Sequence, residues 1–204
     1  MAHMRERMKI LDLCCGHGLA AIGYKCAFPH AEIHGWDTAD MSSSYPFIFN
    51  KGDAFALDYE YLQSFDLIHI SPPCQRYSKI TPSRTRNSHP HLIPNALRLG
   101  YASGKPFVVE NVPGSTQWLK PNCCLELGGK TRFFHTSFDV ENRKWAGYDI
   151  MSTRYSSKKA VFQSWGVPDA YKLGMRDLRQ GIPPLMTMHI GMFLMRAIVS
   201  GIYS

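Results

Sequence analysis

The sequence predicts an α/β fold: one doubly wound, mostly parallel sheet with helices on both faces and a small insertion. Three observations carry that expectation. Short apolar, β-rich runs near residues 8–13, 31–36, 65–70 and 106–110 alternate with helical stretches near 18–27, 57–63 and 91–103, the order that builds parallel strands with crossover helices. The first run passes through Gly16 and Gly18 into a helix, a turn that lets the backbone approach a ligand closely. The third run ends at Ser71-Pro72-Pro73, and consecutive prolines stop a strand abruptly.

Taken in order, each run also places chemistry. Met8 to Leu13 leads into Cys14-Cys15-Gly16-His17-Gly18, and the helix that follows points its amino end at whatever the turn holds. Gly-x-Gly alone also fits an ordinary strand-to-helix connection or a site for a different nucleotide. The second run, Ala31 to Trp36, ends in Asp37, about 20 residues after the glycines, where an acid can accept from ribose hydroxyls. Together the two point to an adenosine-containing cofactor. The third run, Phe65 to Ile70, delivers Cys74 just past its carboxyl end, where open α/β sheets bind ligands. A thiol there is a candidate nucleophile; a small buried core cysteine is the alternative. The fourth, Phe107 to Val109, runs into Glu110 and Asn111, which brings a carboxylate to the end of a neighbouring strand. A β-rich stretch near 123–138 is expected at the sheet edge, and residues 184–203 read as a closing helix whose Met, Ile and Leu pack into the core.

Composition narrows the class. The chain has 204 residues, 45% of them hydrophobic, enough for one packed domain with an insertion. Twenty-three Lys and Arg against 16 Asp and Glu give a formal charge of +7, which suits a polyanionic partner. Nothing reads as a membrane span, and Met1 to Arg7 has no apolar signal core, so a cytoplasmic site is expected. The six cysteines show no C-x-x-C spacing, and neither His30 with His34 nor His89 with His91 has a third ligand in view; no metal is expected.

The order and spacing of these segments resemble the DNA cytosine-C5 methyltransferases, most of all the small phage-type members, over nearly the whole chain. Asp12 to Gly18 resembles the S-adenosylmethionine loop, Asp37 the ribose-binding acid, and Gly52-Asp53-Ala54 the segment at adenine. Ser71-Pro72-Pro73-Cys74-Gln75 resembles the catalytic Pro-Cys loop, Glu110-Asn111-Val112 the Glu-Asn-Val motif, and Lys130-Thr131-Arg132 a reduced Arg-x-Arg motif. Met175 to Pro184, with His189-Ile190-Gly191, resembles the closing motifs that return to the cofactor pocket. The resemblance implies a Rossmann-like fold. It implies S-adenosylmethionine contacts at Asp12, Cys14, Gly16, Gly18, Asp37, Asp53, Pro73 and Gln180, with S-adenosylhomocysteine as product. It makes Cys74 the nucleophile at cytosine C6, Glu110 the acid at N3, Arg132 the donor to O2, and Asn111 the residue that positions Glu110 and the loop.

The resemblance divides the chain into a core at 1–135, a short target-recognition insertion at 136–174, and a closing segment at 175–204 that completes one domain. DNA is the expected partner, and a monomer the expected state, in host cytoplasm if the protein is phage-encoded. Four basic residues within the eleven positions after Gln75 suit phosphates. The expected contacts are Gln75, Arg76, Ser78, Lys79, Arg84, Arg86, Lys130, Arg154, Lys158 and Lys159. The sequence departs from the family in placing Cys14 where an aromatic residue packs on adenine, Lys130 where the first arginine stands, and Gln180 where an asparagine is usual. Its brief recognition interval implies a short or loosely specified target. Competing readings are C5 methylation of RNA or a free cytidine nucleotide, amino methylation of cytosine N4 or adenine N6, and a non-enzymatic nucleic-acid-binding subunit. Cys74 and the Glu-Asn-Val strand weigh against amino methylation, whose motif puts an aromatic residue after the prolines.

Overall fold

Apolar runs too short for helices pair into a sheet whose two faces are both covered, so successive side chains on each strand enter different cores. In the computed structural model, which describes residues 7–146 and 174–203, the strands are β1 (Lys9–Leu13), β2 (Glu32–Asp37), β3 (Ile48–Lys51), β4 (Leu67–Ile70), β5 (Phe107–Asn111), β6 (Cys123–Leu127), β7 (Lys130–Thr136) and β8 (Arg143–Trp145). Their order across the sheet is β3-β2-β1-β4-β5-β7-β6-β8. The first five are mutually parallel. β7 joins β5 antiparallel, β6 pairs antiparallel with β7, and β8 runs parallel to β6. The expected doubly wound, mostly parallel sheet is present.

The helices are α1 (Leu19–Ala27), α2 (Tyr59–Gln63), α3 (Ser83–Arg86), α4 (Ile93–Ser103), α5 (Thr116–Leu119), α6 (Met175–Gln180) and α7 (Pro184–Val199). Helices α1 and α7 cover one face. There Ile10, Ile22, Tyr24, Met186, Ile190 and Leu194 share a core. The other face packs Leu11, Leu13, Ile68 and Ile70 against α4, through Ile93, Ala96 and Leu99. Close contact between α1 and α7 depends on Gly23, because a Cβ there would lie 2.0 Å from Thr187 Oγ1. The Thr187 hydroxyl donates to the Ala20 carbonyl at 2.8 Å. In the β6–β7 hairpin, Gly128 and Gly129 both have positive φ (53° and 75°), as a two-residue hairpin turn requires.

Three differences from the sequence reading have physical reasons. β3 and β8 carry no clear alternation because they are edge strands of four and three residues with largely exposed side chains. β8 also lies inside the interval expected to form the recognition insertion, yet it pairs with β6 through Leu125, Glu126 and Leu127; residues 143–145 belong to the main sheet. β4 starts at Leu67, two residues after the apolar run begins, and Phe65 fills the core just before it.

Candidate active site

Strand order reverses direction between β1 and β4, which leaves a crevice at their carboxyl ends. A cavity of about 420 Å³ opens there. Its lining brings together the ends of β1 (Asp12, Cys14), β2 (Asp37), β4 (Ser71 to Gln75) and β5 (Glu110), along with Arg132 from β7 and Gln180 from α6. Residues up to 168 positions apart in the chain thus face one space.

One half of the cavity is built on the glycine turn. Cys14 adopts φ 56°, Gly16 φ 49° and Gly18 φ 79°, so three left-handed residues at alternate positions fold the backbone tightly around the entry to α1. A Cβ on Gly16 would meet nothing within 4 Å, whereas one on Gly18 would strike Tyr45 and Pro46. Gly16 thus opens onto free space and Gly18 packs inward. Asp37 fixes the turn: its Oδ2 accepts from the Gly16 amide at 3.0 Å and its Oδ1 from the Ala39 amide at 3.0 Å. Asp53 caps the short 3-10 turn at Ala54–Ala56 by accepting from the Phe55 amide at 2.9 Å, and both Asp53 and Phe55 line the cavity.

Asp12 is the anomaly of this half. It is fully buried, its Oδ2 has one long hydrogen bond from the Tyr45 hydroxyl at 3.3 Å, and its Oδ1 has no partner. Burial pushes its carboxyl well above the usual range, with a further push from Asp37 and a partial offset from Tyr45. Burial likewise drives the Cys14 thiol up to about 12, so it faces the cavity as a neutral thiol.

The other half holds the reactive groups. Pro72-Pro73 ends β4, and the Cys74 carbonyl then accepts from the amides of Tyr77 and Ser78, both at 2.9 Å, which closes a turn beneath the thiol. Asn111, fully buried, donates from Nδ2 to the Pro72 carbonyl at 2.9 Å and accepts from the Val112 amide at 3.0 Å. It holds the Pro-Cys loop against β5 and lies behind the cavity wall. The loop is held a second time at Gly114, where a Cβ would sit 2.0 Å from the Tyr77 carbonyl oxygen. Glu110 is 6% exposed and accepts from Arg132 Nε at 2.8 Å. Burial raises its carboxyl, and Arg132, the Ser71 hydroxyl and Lys130 pull it back only in part. Burial and Glu110 raise the Cys74 thiol, while Arg132 and Lys130 favour the thiolate.

The basic residues divide. Lys79 and Arg84 are exposed on the segment after Cys74, as is Gln75 at its start. Arg76 instead donates from Nη1 to the carbonyls of Asn87 and His89 at 3.2 and 3.0 Å. Arg86 donates to the Thr81 carbonyl at 3.2 and 3.0 Å. These two arginines shape the loop instead of presenting a free charge to phosphate. Ser78 Oγ accepts from the Ile80 amide at 3.2 Å. Lys130 likewise turns inward. It is 4% exposed and donates to the carbonyls of Leu178 at 3.1 Å and Gly181 at 2.5 Å, so it clamps the closing segment inside the protein and does not reach a phosphate. Gln180 contributes its carbonyl to Arg132 Nη2 at 3.4 Å. Arg154, Lys158 and Lys159 lie outside the described residues.

The sequence reading missed a clasp at the cavity mouth. His17 Nδ1 lies 2.8 Å from Ser44 Oγ, and its Nε2 lies 3.2 Å from Asp177 Oδ1. It ties the glycine turn to the β2–β3 connection and to α6. Its place between the two glycines was the available signal, but its partners are 27 and 160 positions away. Among the described residues no group of three or more His, Cys, Asp and Glu side chains could hold a metal ion. No helix among them is long and apolar enough to cross a membrane.

In structure the chain is similar to the methyltransferase EhMeth of Entamoeba histolytica, with a TM-score of 0.63 at 10% identity over 98% of this chain and 100% of that one. The chain has a Rossmann-like methyltransferase fold. The Dnmt2 methyltransferase of S. pombe superposes less well, with a TM-score of 0.45 at 17% identity over 76% of this chain and 57% of that one. No protein-family model matches the chain, and no curated protein matches its sequence. At such identities the likeness establishes the fold alone; chemistry has to be argued from the cavity.

Proposed function

We propose that the protein transfers a methyl group from S-adenosylmethionine to C5 of cytosine in DNA, through a covalent bond between Cys74 and C6 of a base rotated out of the duplex. The observation that carries this reading is the convergence of a thiol, a buried carboxyl and a guanidinium (Cys74, Glu110 and Arg132) in the cavity that also holds Asp12, Asp37 and the glycine turn.

The residues present fit the cofactor. The orphaned, buried Oδ1 of Asp12 suits an ammonium group, which would offset the cost of a charged carboxylate in the interior. Asp37 suits ribose hydroxyls and the Asp53–Phe55 turn the adenine. When bound, S-adenosylmethionine supplies an electrophilic methyl group.

The chain's own residues account for the rest. Cytosine C5 is a weak nucleophile until sulfur adds to C6. As the Cys74 sulfur gives up its proton to water and bonds to C6, the electron pair of the C5–C6 double bond becomes available at C5. Glu110, whose carboxyl burial raises above its ordinary range, places a proton at N3 and takes up the charge that would otherwise build on the ring. Arg132 has five N–H donors, and Glu110, Thr131 and Gln180 engage three of them; Arg132 lines the cavity, so a remaining donor would suit the O2 carbonyl. After C5 gains the methyl group it loses its proton to water, the S–C6 bond breaks, and N3 returns its proton to Glu110. A base inside a duplex cannot reach this cavity, so it must leave the stack or come from a single strand. Lys79 and Arg84, exposed on the segment that follows Cys74, are the phosphate contacts that this reading favours.

The test is mass spectrometry of nucleosides from mixed-sequence DNA incubated with the protein and S-adenosylmethionine, with calorimetry of cofactor binding alongside. 5-Methylcytosine that vanishes in Cys74→Ala, with cofactor affinity retained, supports the proposal. N4-methylcytosine or N6-methyladenine would move the protein to amino methylation. Unmodified DNA with methylated RNA or free cytidine nucleotide would keep the chemistry and change the substrate.

A further inference from the structure

Two walls bound the cofactor half of the cavity, and the chain joins them both at the base and at the rim. One wall is the glycine turn with the β2–β3 connection, where Gly16, Asp37 and Met41 face the space. The other is the closing segment, through Asp177, Gln180 and Gly181. At the base the walls touch: a Cβ on Gly181 would lie 2.1 Å from Leu19 Cδ1. Lys130, 4% exposed, fixes the closing segment there by the carbonyls of Leu178 and Gly181.

His17 makes the second join. It follows Gly16, whose amide donates to Asp37 at 3.0 Å, so it stands beside the acid assigned to ribose. The Asp177 carboxylate can only accept, so His17 Nε2 supplies the hydrogen across their 3.2 Å separation. On the other side of the ring, Nδ1 meets the Ser44 hydroxyl at 2.8 Å. Each partner is anchored in its own wall. Ser44 sits in a turn closed on the Met41 carbonyl, which accepts from the amides of Ser44 and Tyr45 at 2.9 and 2.8 Å. Asp177 Oδ2 accepts from the Gly174 amide at 2.8 Å, and the next residue, Leu178, is fully buried. The tie itself is not buried: the His17 and Asp177 side chains are 32% and 27% exposed. A pair this exposed is weak, because water competes for both charges. It can therefore part while Lys130 and Leu178 keep α6 in place.

We infer that His17 is a rim latch on the cofactor pocket: paired with Asp177 it joins the two walls across the opening and slows both entry and exit of the cofactor, and its release opens the way. The inference rests on reading this half of the cavity as the S-adenosylmethionine site; it does not depend on which base is methylated. A latch has a kinetic signature. A side chain that only grips bound ligand slows exit alone. A gate raises one barrier shared by both directions, so removing it speeds entry and exit by the same factor and leaves the equilibrium in place.

The test is surface plasmon resonance of S-adenosylhomocysteine on the immobilised full chain, with thermal unfolding of each variant alongside. His17→Ala should raise the association and dissociation rate constants together, by about two- to fivefold, with Kd nearly unchanged. Asp177→Asn, which keeps an acceptor for the Gly174 amide, should do the same. The double variant should be no faster than either single one, because both cut one tie. Faster dissociation with unchanged association would make His17 an ordinary ligand contact and overturn the latch. Slower association with a lowered melting temperature would make it a structural residue and overturn the latch equally. Should His17→Ala not fold, Asp177→Asn decides by the same criteria. A parent protein that binds no S-adenosylhomocysteine removes the cofactor reading and the inference with it; a parent that binds, with rates indifferent to both variants, removes the inference alone.

Discussion

Replacing Asp12 with Asn should make the ligand-free protein more stable and the cofactor complex weaker. Asp12 is 0% exposed, one carboxylate oxygen is unpartnered, and the other has a single 3.3 Å bond. Burial raises its folded-state value well above the ordinary 3.8. A raised carboxyl contributes stability that is complete below the unfolded value and is lost as pH climbs to the folded one. Across that window each pH unit removes about 1.4 kcal/mol. For a chain of this size that is roughly 3–5 °C in Tm per unit. Asparagine does not titrate, so the Tm difference, Asp12→Asn minus parent, should widen as pH rises from 4 and then level off. Thermal unfolding at half-unit pH steps, with and without S-adenosylmethionine, measures both effects. With the ligand the difference should shrink or reverse, because the parent gains an ammonium partner for Oδ1 and the variant does not. A Tm difference flat across pH would refute the burial argument. An unaltered cofactor affinity would remove Asp12 from the ammonium site.

Two further outcomes follow from the geometry. Gly114→Ala places a Cβ 2.0 Å from the Tyr77 carbonyl, so backbone must move; a loss of about 1–3 kcal/mol and a drop in turnover at unchanged cofactor affinity are expected, and a denaturant midpoint equal to the parent's would contradict the contact. Lys79→Ala and Arg84→Ala should each lower DNA affinity and reduce the slope of log affinity against log salt by about 0.9, whereas Arg76→Ala should chiefly lower the melting temperature. Salt-dependent fluorescence anisotropy separates the two kinds of arginine, and equal salt slopes for all three variants would erase the distinction.

Legibility in the sequence depended on range. The four central strands, α1 and α4 are set by local periodicity and by breakers such as Pro72-Pro73 and Gly16, so they could be read within windows of a few residues. The short edge strands β3 and β8 escaped because three or four half-exposed residues carry no periodic signal. Cys74, Glu110 and Arg132 were legible as residue types in an order. Their meeting required the sheet, since β4, β5 and β7 are neighbours only in space.

The sequence by itself determined the alternation of elements, the glycine turn, and the delivery of a thiol and a carboxyl to strand ends. It did so because strand period, turn chemistry and proline stops act over a few bonds. Only the tertiary structure decided what the long and polar side chains do. Lys130 finds carbonyls 48 and 51 positions away, Arg76 and Arg86 turn back on their own loop, and His69 joins Tyr24 of α1 to Ser71 after β4. A flexible side chain can reach many partners, and burial selects among them by penalising every polar atom left unpaired.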